Sequence, residues 1–85
     1  MFTKEGNLCG DRVRIGRAIY KPPLTQEQLA REIQLSFGLE ITKNIISRIE
    51  KGYRHVCDAE LRALAITLNV SVDWLLCDTD NPRRL

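Results

Sequence analysis

The sequence predicts an all-α protein, a compact bundle of about five short helices, from three observations. Apolar residues recur at helical spacing in several segments, and the apolar-polar alternation that is typical of strands does not appear. Residues that favour helix ends, such as threonine, serine, proline and glycine, separate these segments. The 85 residues, 44% hydrophobic and 28% charged, suit one globular domain with a core of modest depth.

The chain divides into three regions. Residues 1–9 carry no periodic pattern, so we expect a flexible N-terminal arm. The helical pattern occupies residues 10–77, the predicted folded domain, and residues 78–85 are expected to form a flexible C-terminal tail. The N-terminus lacks the apolar core of a signal peptide, and no apolar run approaches the ~18 residues that a membrane span requires. We therefore expect a cytoplasmic protein with no membrane contact.

The first helix is predicted to begin at about Gly10 and to end before Pro22 and Pro23, which cannot continue a helix. Gly16 lies in its middle, where a glycine is typical of close packing against a neighbouring element. The side chains expected to face inward are Val13, Ala18, Ile19 and Tyr20, and those expected to face outward are Arg12 and Arg14.

The second helix is predicted to begin after Thr25. This threonine is a favourable N-cap, and Gln28 stands three residues later, which is the capping-box arrangement. The inward stripe is expected to be Leu29, Ala30 and Ile33, with Leu35 and Phe37 extending its apolar character up to Gly38.

The third helix lies between Thr42, a good N-cap, and Gly52, a good C-terminal stop. Ile46 and Ile49 fall on one side of it at helical spacing. The opposite side carries an amide, a hydroxyl and basic groups, the types that fit base edges and phosphates. Taken alone, this helix could equally be an ordinary amphipathic helix with a solvated face. The polar side consists of Lys43, Asn44, Ser47 and Arg48.

Two further helices complete the bundle. Asp58 is expected to cap the fourth helix, and Asn69 to close it. Ser71 is expected to open a short fifth helix that contains Trp74, predicted to be a core residue. The inward stripe of the fourth helix is expected to be Leu61, Leu64, Ala65 and Leu68.

The charge is concentrated around the third helix. Residues 42–55 contain four basic residues and one acidic residue, a net charge of +3, whereas the whole chain has +2 and the remainder therefore −1. Such local basicity is typical of contact with a polyanion, although charged runs also occur as solvated surface.

The cysteines and the histidine do not indicate a metal or catalytic site. Cys9, Cys57 and Cys77 are widely spaced, form no C-x-x-C pair and have only His55 nearby, which argues against zinc and against a disulfide framework. A protein with free thiols is the simpler interpretation, although a redox role for one cysteine stays open. With one histidine and no nucleophile-base pair or phosphate-binding glycine loop, we expect no enzymatic activity, no cofactor and no small-molecule ligand.

Three motifs occur in a fixed order along the chain: LTQEQLA, then ISRIEKG, then SVDWLL. In this order they resemble the lambda repressor/Cro-like helix-turn-helix family of DNA-binding transcriptional regulators, over roughly Gly10 to Leu76. The resemblance implies that the helix beginning with LTQ crosses the DNA backbone and that the helix at residues 42–51 enters the major groove. It makes residues 10–77 a helix-turn-helix DNA-binding domain.

The turn between the two helices departs from the family pattern. The family has a glycine four residues after the alanine of LA, whereas Gly38 stands eight residues after Ala30. The segment from Ala30 to Ile46 is about six residues longer than usual, so we expect a helix-turn-helix with an extended turn, formed by a longer second helix or a longer loop.

The resemblance also implies roles for individual residues. An arginine at the place of Arg17 pairs in the family with the glutamate at Glu50. Ile45 stands at the flank of the third helix, where it either packs on the extended turn or meets a thymine methyl. The residues expected to contact bases are Lys43, Asn44, Ser47 and Arg48, with Arg48 suited to guanine and Asn44 to adenine. Those expected to contact phosphates are Thr25, Gln26, Lys51, Tyr53 and Arg54.

The predicted function is therefore a sequence-specific double-stranded DNA-binding transcriptional regulator, most simply a repressor. A unit of this size reads only a few base pairs, so a homodimer is expected. Its interface is predicted at the fifth helix and the tail, because Leu75 and Leu76 have little left to pack on. The alternative is a protein-interaction module of the same fold, antitoxin-like or binding a regulatory partner, in which DNA binding is secondary.

Overall fold

The helix ends in the computed structural model fall close to the predicted caps. The structure describes residues 7–83, so residues 1–6 of the predicted arm and residues 84–85 of the predicted tail lie outside it. The predicted all-α bundle is confirmed over the described residues. Its five helices are α1 (Gly10–Ile19), α2 (Gln26–Phe37), α3 (Lys43–Glu50), α4 (Asp58–Leu68) and α5 (Val72–Leu75).

The helix ends are held by local hydrogen bonds. The capping box of α2 is confirmed: Thr25 Oγ1 accepts from the Gln28 amide at 3.0 Å, and Gln28 Oε1 accepts from the Thr25 amide at 2.8 Å. The prediction that Asp58 caps α4 was wrong. Cys57 is the N-cap residue there, because the Glu60 carboxylate accepts from the Cys57 amide at 3.1 Å, and Asp58 is already helical.

One core fills the space between the helices. α1 packs on α3, α4 and α5, and α2 packs on α3 and α4, so each helix buries one side in the same cluster. The buried stripes predicted for α2 (Leu29, Ala30, Ile33) and α3 are confirmed, and Trp74 is a core residue as predicted, but Leu35, expected to extend the α2 stripe, is 74% exposed. The largest fully buried side chains are those of Leu29, Ile33, Ile41, Ile46, Ile49, Leu64 and Leu75.

The inward face predicted for α1 was wrong in part, since Ala18 and Ile19 are exposed. A methyl group placed on Gly16 would lie 3.1 Å from Cδ1 of Leu68, so α4 packs directly against the glycine. The close packing expected at this glycine is confirmed, and it turns the Ala18 side of the helix toward solvent. The buried residues of α1 are Gly10, Val13 and Gly16.

The extended turn between α2 and α3 consists mainly of extra helix. α2 continues for seven residues beyond Ala30, to Phe37, and stops at Gly38, which has φ +68°. The connection between the helices is then held at Ile41 by two contacts. Gln34 Nε2 donates to the Ile41 carbonyl at 2.6 Å, and the Ile41 side chain is buried in the core. The helix-turn-helix is therefore longer than usual but anchored in the core.

The chain segments next to the termini are attached to the bundle where the structure describes them. Asn7 and Cys9, expected in a flexible arm, are buried. In the expected tail, the Pro82 carbonyl accepts from the Ser71 amide at 3.0 Å. The outward position predicted for Arg12 was wrong.

The guanidinium of Arg12 lies 4.8 Å from the centre of the Trp74 ring and donates to the Trp74 and Thr79 carbonyls, both at 3.0 Å. A third contact reaches Asp80 at 3.3 Å. This arginine therefore fastens the C-terminal segment to α1.

None of the helices in residues 7–83 has both the length and the apolar character needed to cross a membrane.

Candidate nucleic-acid interface

α3 is divided into a buried side and a polar side, as its sequence predicts. Ile46 and Ile49 are completely buried, while Lys43, Asn44 and Arg48 are exposed. Burying the two isoleucines contributes about 3 to 6 kcal/mol of apolar transfer free energy, which holds the helix on the bundle. The polar side is thereby presented to solvent on a fixed support.

The polar side of α3 is organised as two adjacent rows. Lys43, Ser47 and Lys51 follow one another at intervals of four residues, and Asn44 and Arg48 form the neighbouring row. At 1.5 Å per residue the longer row covers about 12 Å, which corresponds to three or four base pairs of B-DNA. This surface, called the α3 polar face below, therefore suits a short stretch of major groove.

The cations of the α3 polar face are not neutralised within the described part of the chain. Three ion pairs join residues of 7–83, and none of them involves Lys43, Arg48 or Lys51. The one acidic residue of α3 is Glu50, and it contacts Arg17 on the side of α1. The α3 polar face consequently carries three positive charges that can interact with an external anion.

Both ends of α3 are fixed by caps. Thr42 Oγ1 accepts from the Ile45 amide at 3.2 Å, which confirms the predicted N-cap. At the other end, Gly52 has φ +79°, and the amides of Gly52 and Tyr53 donate to the carbonyls of Ile49 and Arg48 at 3.0 and 2.9 Å. This is a Schellman motif, and it places Tyr53, 65% exposed, directly beyond the basic row.

The predicted pair between Arg17 and Glu50 is confirmed. Arg17 Nε lies 2.6 Å from Glu50 Oε2 and Nη2 lies 2.9 Å from Oε1, so the contact is bidentate. Gln26 Nε2 donates to the same carboxylate at 3.1 Å. The Glu50 carboxylate therefore joins the first residue of α2, the last turn of α3 and α1 at one point.

The N-terminus of α2 keeps donors for a phosphate. Gln26 uses one hydrogen of its amide nitrogen on Glu50 and retains the other. Thr25 accepts a hydrogen bond through Oγ1 and retains its hydroxyl hydrogen. The amides of Gln26 and Glu27 precede the first intrahelical bond, made by Leu29 to Thr25. The geometry is compatible with the phosphate contacts expected of Thr25 and Gln26.

Arg54, expected to contact a phosphate, forms an ion pair within the fold. Its two terminal nitrogens each lie 3.0 Å from an oxygen of Glu60, and Nη1 also donates to the His55 carbonyl. The hydrogen bond from Arg54 lowers the pKa of Glu60, and the same bond raises the pKa of Arg54. These contacts tie the segment after α3 to the start of α4.

Comparison with known protein families agrees with this geometry. A family model described as helix-turn-helix matches residues 24–75, more than half of the chain and the range that contains α2 to α5. The chain belongs to the lambda repressor-like helix-turn-helix family of DNA-binding regulators. Comparisons with curated proteins and with solved structures give no match.

In this helix-turn-helix protein, α2 and α3 are the two helices of the motif, and α1 lies outside the matched range. Ile45 is half buried and packs against the core, which favours its packing role over contact with a thymine methyl.

Burial raises the pKa of the Cys9 thiol to about 11, whereas Cys57 and Cys77 are exposed free thiols. Within residues 7–83 no group of three or more metal-ligating side chains comes together.

Sequence reasoning missed Asn7, whose side chain is 3% exposed and contacts the end of α3. A polar residue in an aperiodic segment gives no local pattern that distinguishes it from a solvated arm. The available signal was its place three residues before Gly10, where an asparagine side chain can accept from the first amides of α1. Its contacts with α3 span more than forty residues and were not predictable from the neighbouring sequence.

Proposed function

We propose that this protein is a sequence-specific, double-stranded DNA-binding transcriptional regulator that reads the major groove with α3. The observation that supports this most directly is the α3 polar face, which combines an amide and a hydroxyl with three cations that form no ion pair within residues 7–83, on a helix whose other side is buried. Positive charge attracts the phosphate backbone, and the amide and guanidinium distinguish bases.

The base-reading residues in this proposal are Lys43, Asn44, Ser47 and Arg48. Arg48 donates through its guanidinium to O6 and N7 of guanine, and Asn44 pairs with N6 and N7 of adenine. Lys43 and Ser47 lie in the neighbouring row of the same face and contact the adjoining base edges.

The phosphate contacts in this proposal flank the reading helix on both sides. Thr25 and Gln26 bind one phosphate at the N-terminus of α2, where the helix dipole also favours an anion. Lys51 and Tyr53 bind the backbone beyond the C-terminus of α3. Phosphate contacts set the position of the protein on the duplex without selecting a sequence.

We propose that the protein binds its site as a homodimer and represses. A row of about 12 Å reads too few bases for useful selectivity, and two copies on a two-fold site double the number. The fifth helix and the tail remain the proposed interface, but Leu75 is fully buried within one copy and does not support it. The apolar side chain that α5 leaves exposed is Val72. Occupation of a promoter by such a dimer blocks access to it, which is the simplest regulatory result.

Selection of bound sequences from a random duplex DNA pool tests this function. The selected duplex should bind more tightly than a scrambled duplex in the presence of competitor DNA, with one dimer per site in analytical ultracentrifugation. Replacing Lys43, Arg48 and Lys51 together by alanine should abolish binding. Arg62→Ala is the matched control, since this arginine is exposed on α4 beside Phe37 and Leu39. If the wild-type protein does not bind DNA at low salt, the function is instead that of a protein-interaction module.

A further inference from the structure

The side chain of Asn7 uses both of its polar atoms in hydrogen bonds to the backbone. Its Oδ1 accepts from the amides of Cys9 and Gly10, both at 3.0 Å, and so caps the start of α1. Its Nδ2 donates to the carbonyl of Ile49 at 2.8 Å and to the carbonyl of Arg54 at 3.1 Å. The residue is therefore a buried link between α1 and the segment in which α3 ends.

Of the two carbonyls bound by Nδ2, that of Ile49 is part of the Schellman motif of α3, and that of Arg54 follows the motif directly. Between Ile49 and Arg54 lie Lys51 and Tyr53, the two proposed phosphate contacts beyond the helix, and Arg48 precedes Ile49 directly. The start of α1 approaches the same place closely, because a methyl group on Gly10 would lie 2.5 Å from the Ile49 carbonyl oxygen. Close contact and hydrogen bonds together fix this end of α3 against α1.

We propose that Asn7 is a positioning residue for DNA binding: through Nδ2 it holds the C-terminal end of α3 so that Arg48, Lys51 and Tyr53 meet the duplex together. This inference rests on the proposed function. The N-terminal end of α3, with Lys43 and Asn44, is fixed by other contacts. These are the hydrogen bond from the Ile45 amide to Thr42 Oγ1 and the hydrogen bond from Gln34 to the Ile41 carbonyl. The two ends of the reading helix therefore depend on different contacts and can be perturbed one at a time.

Asn7→Asp separates the two functions of the side chain. In its ionised form the new carboxylate retains the acceptor that caps Cys9 and Gly10, but it cannot donate to the carbonyls of Ile49 and Arg54 and repels them. Asn7→Ala removes both functions and serves as the second variant. Ser71→Ala is the control, because it also removes a helix-capping hydrogen bond, the partly buried 3.0 Å bond to the Trp74 amide, but at the start of α5.

The first measurement uses the free protein and needs no DNA. Hydrogen exchange of the Gly52 and Tyr53 amides reports opening of the Schellman motif. In Asn7→Asp these two amides should exchange about tenfold faster than in the wild type, the change expected when the hydrogen bonds that fix their segment are lost. In Ser71→Ala they should exchange at the wild-type rate. Equal exchange in Asn7→Asp and Ser71→Ala would overturn the inference.

The second measurement is base discrimination on single-base variants of the selected site, at a temperature where every variant is folded. Arg48→Ala and Asn44→Ala first identify the base pair that each residue reads. Asn7→Asp should lower discrimination at the Arg48 base pair by about tenfold, a typical value for one bidentate contact. At the Asn44 base pair it should leave discrimination unchanged within about twofold.

The outcomes separate this inference from the proposed function. If the wild-type protein selects a site and Asn7→Asp retains full discrimination at the Arg48 base pair, Asn7 is a structural residue and the inference fails while the function stands. Equal loss at both base pairs would also overturn it, because the whole domain would then have shifted. If the wild-type protein selects no DNA, the proposed function fails and the inference fails with it.

Discussion

Replacement of Glu50 by alanine should destabilise the fold strongly. The carboxylate is almost completely buried, with 5% of its side chain exposed, and it accepts three hydrogen bonds at 2.6, 2.9 and 3.1 Å. Two of them come from Arg17, whose side chain is 17% exposed. Without Glu50, Arg17 keeps one bond, to the Leu24 carbonyl, and Gln26 loses its partner.

The expected size of the effect follows from the stranded charge. Breaking a buried ion pair by removing one partner costs about 3 to 5 kcal/mol, and the partial exposure of Arg17 places this pair near the lower limit. We therefore expect a loss of about 3 kcal/mol in the free energy of unfolding, from a total of about 4 to 13 kcal/mol for a domain of 85 residues. The midpoint of thermal unfolding should fall by about 12 to 24 °C.

Urea unfolding followed by fluorescence of Trp74, the one tryptophan of the chain, measures this loss. Glu50→Gln should fall between the wild type and Glu50→Ala, because it keeps an acceptor of similar shape but not the charge. Glu40→Ala is the control, since this glutamate is exposed in the connection before α3 and should change stability by less than about 0.5 kcal/mol. A loss for Glu50→Ala no larger than that of the control would refute the reasoning.

DNA binding should weaken with salt: if a dimer neutralises about six phosphates, the logarithm of the binding constant should fall against the logarithm of salt concentration with a slope near −5, and a slope near zero would contradict it. Arg48→Ala should lose about 1 to 3 kcal/mol of binding free energy on the preferred site and relax the choice at one or two base positions. Lys51→Ala should instead weaken binding to preferred and scrambled DNA alike and reduce the salt slope by about one per protomer contact. Competition with single-base variants distinguishes the two, and a reversed result would mean that the faces of α3 are misassigned. Arg54→Ala should lower the free energy of unfolding by about 1 kcal/mol and leave the salt slope unchanged, because Arg54 forms an ion pair with Glu60. The pKa of Glu60 is lowered in the fold, so the contribution of this residue to stability is present above the unfolded pKa of about 4.3 and is lost as the pH falls through the folded pKa. Unfolding at pH 7 and at pH 3 should show this loss in the wild type but not in Glu60→Gln.

The helices and the buried sides of α2 and α3 were predictable because the interactions that define them are local. Thr25 with Gln28, and Thr42 with Ile45, are three residues apart, so a capping pattern in the sequence corresponds directly to a hydrogen bond in the fold. The buried side of α3 followed from the spacing of Ile46 and Ile49 for the same reason. The α3 polar face is the opposite side of the same helix. The sequence therefore predicted which residues form this face, but not which residues surround it.

The Arg17–Glu50 pair was predictable by another route. The two residues are 33 positions apart, and neither charge pattern nor periodicity indicates their contact. The family resemblance supplied the pairing, and the structure added Gln26 as a third member of the same cluster.

The remaining features of the candidate interface were decided by the tertiary structure. The family resemblance placed Arg54 among the phosphate contacts and helical periodicity placed Arg12 on the outside, yet packing brings Glu60 to the first and Trp74 to the second. A cation pairs with whichever acceptor the fold places near it, and that neighbour is set by how the helices pack. Asn7 is the clearest example: its type and position suggested a solvated arm, and only the approach of α1 to the end of α3 supplied the two carbonyls that bury it. Sequence determined which groups are available for the proposed DNA contacts, and helix packing determined which of them form ion pairs within residues 7–83 instead.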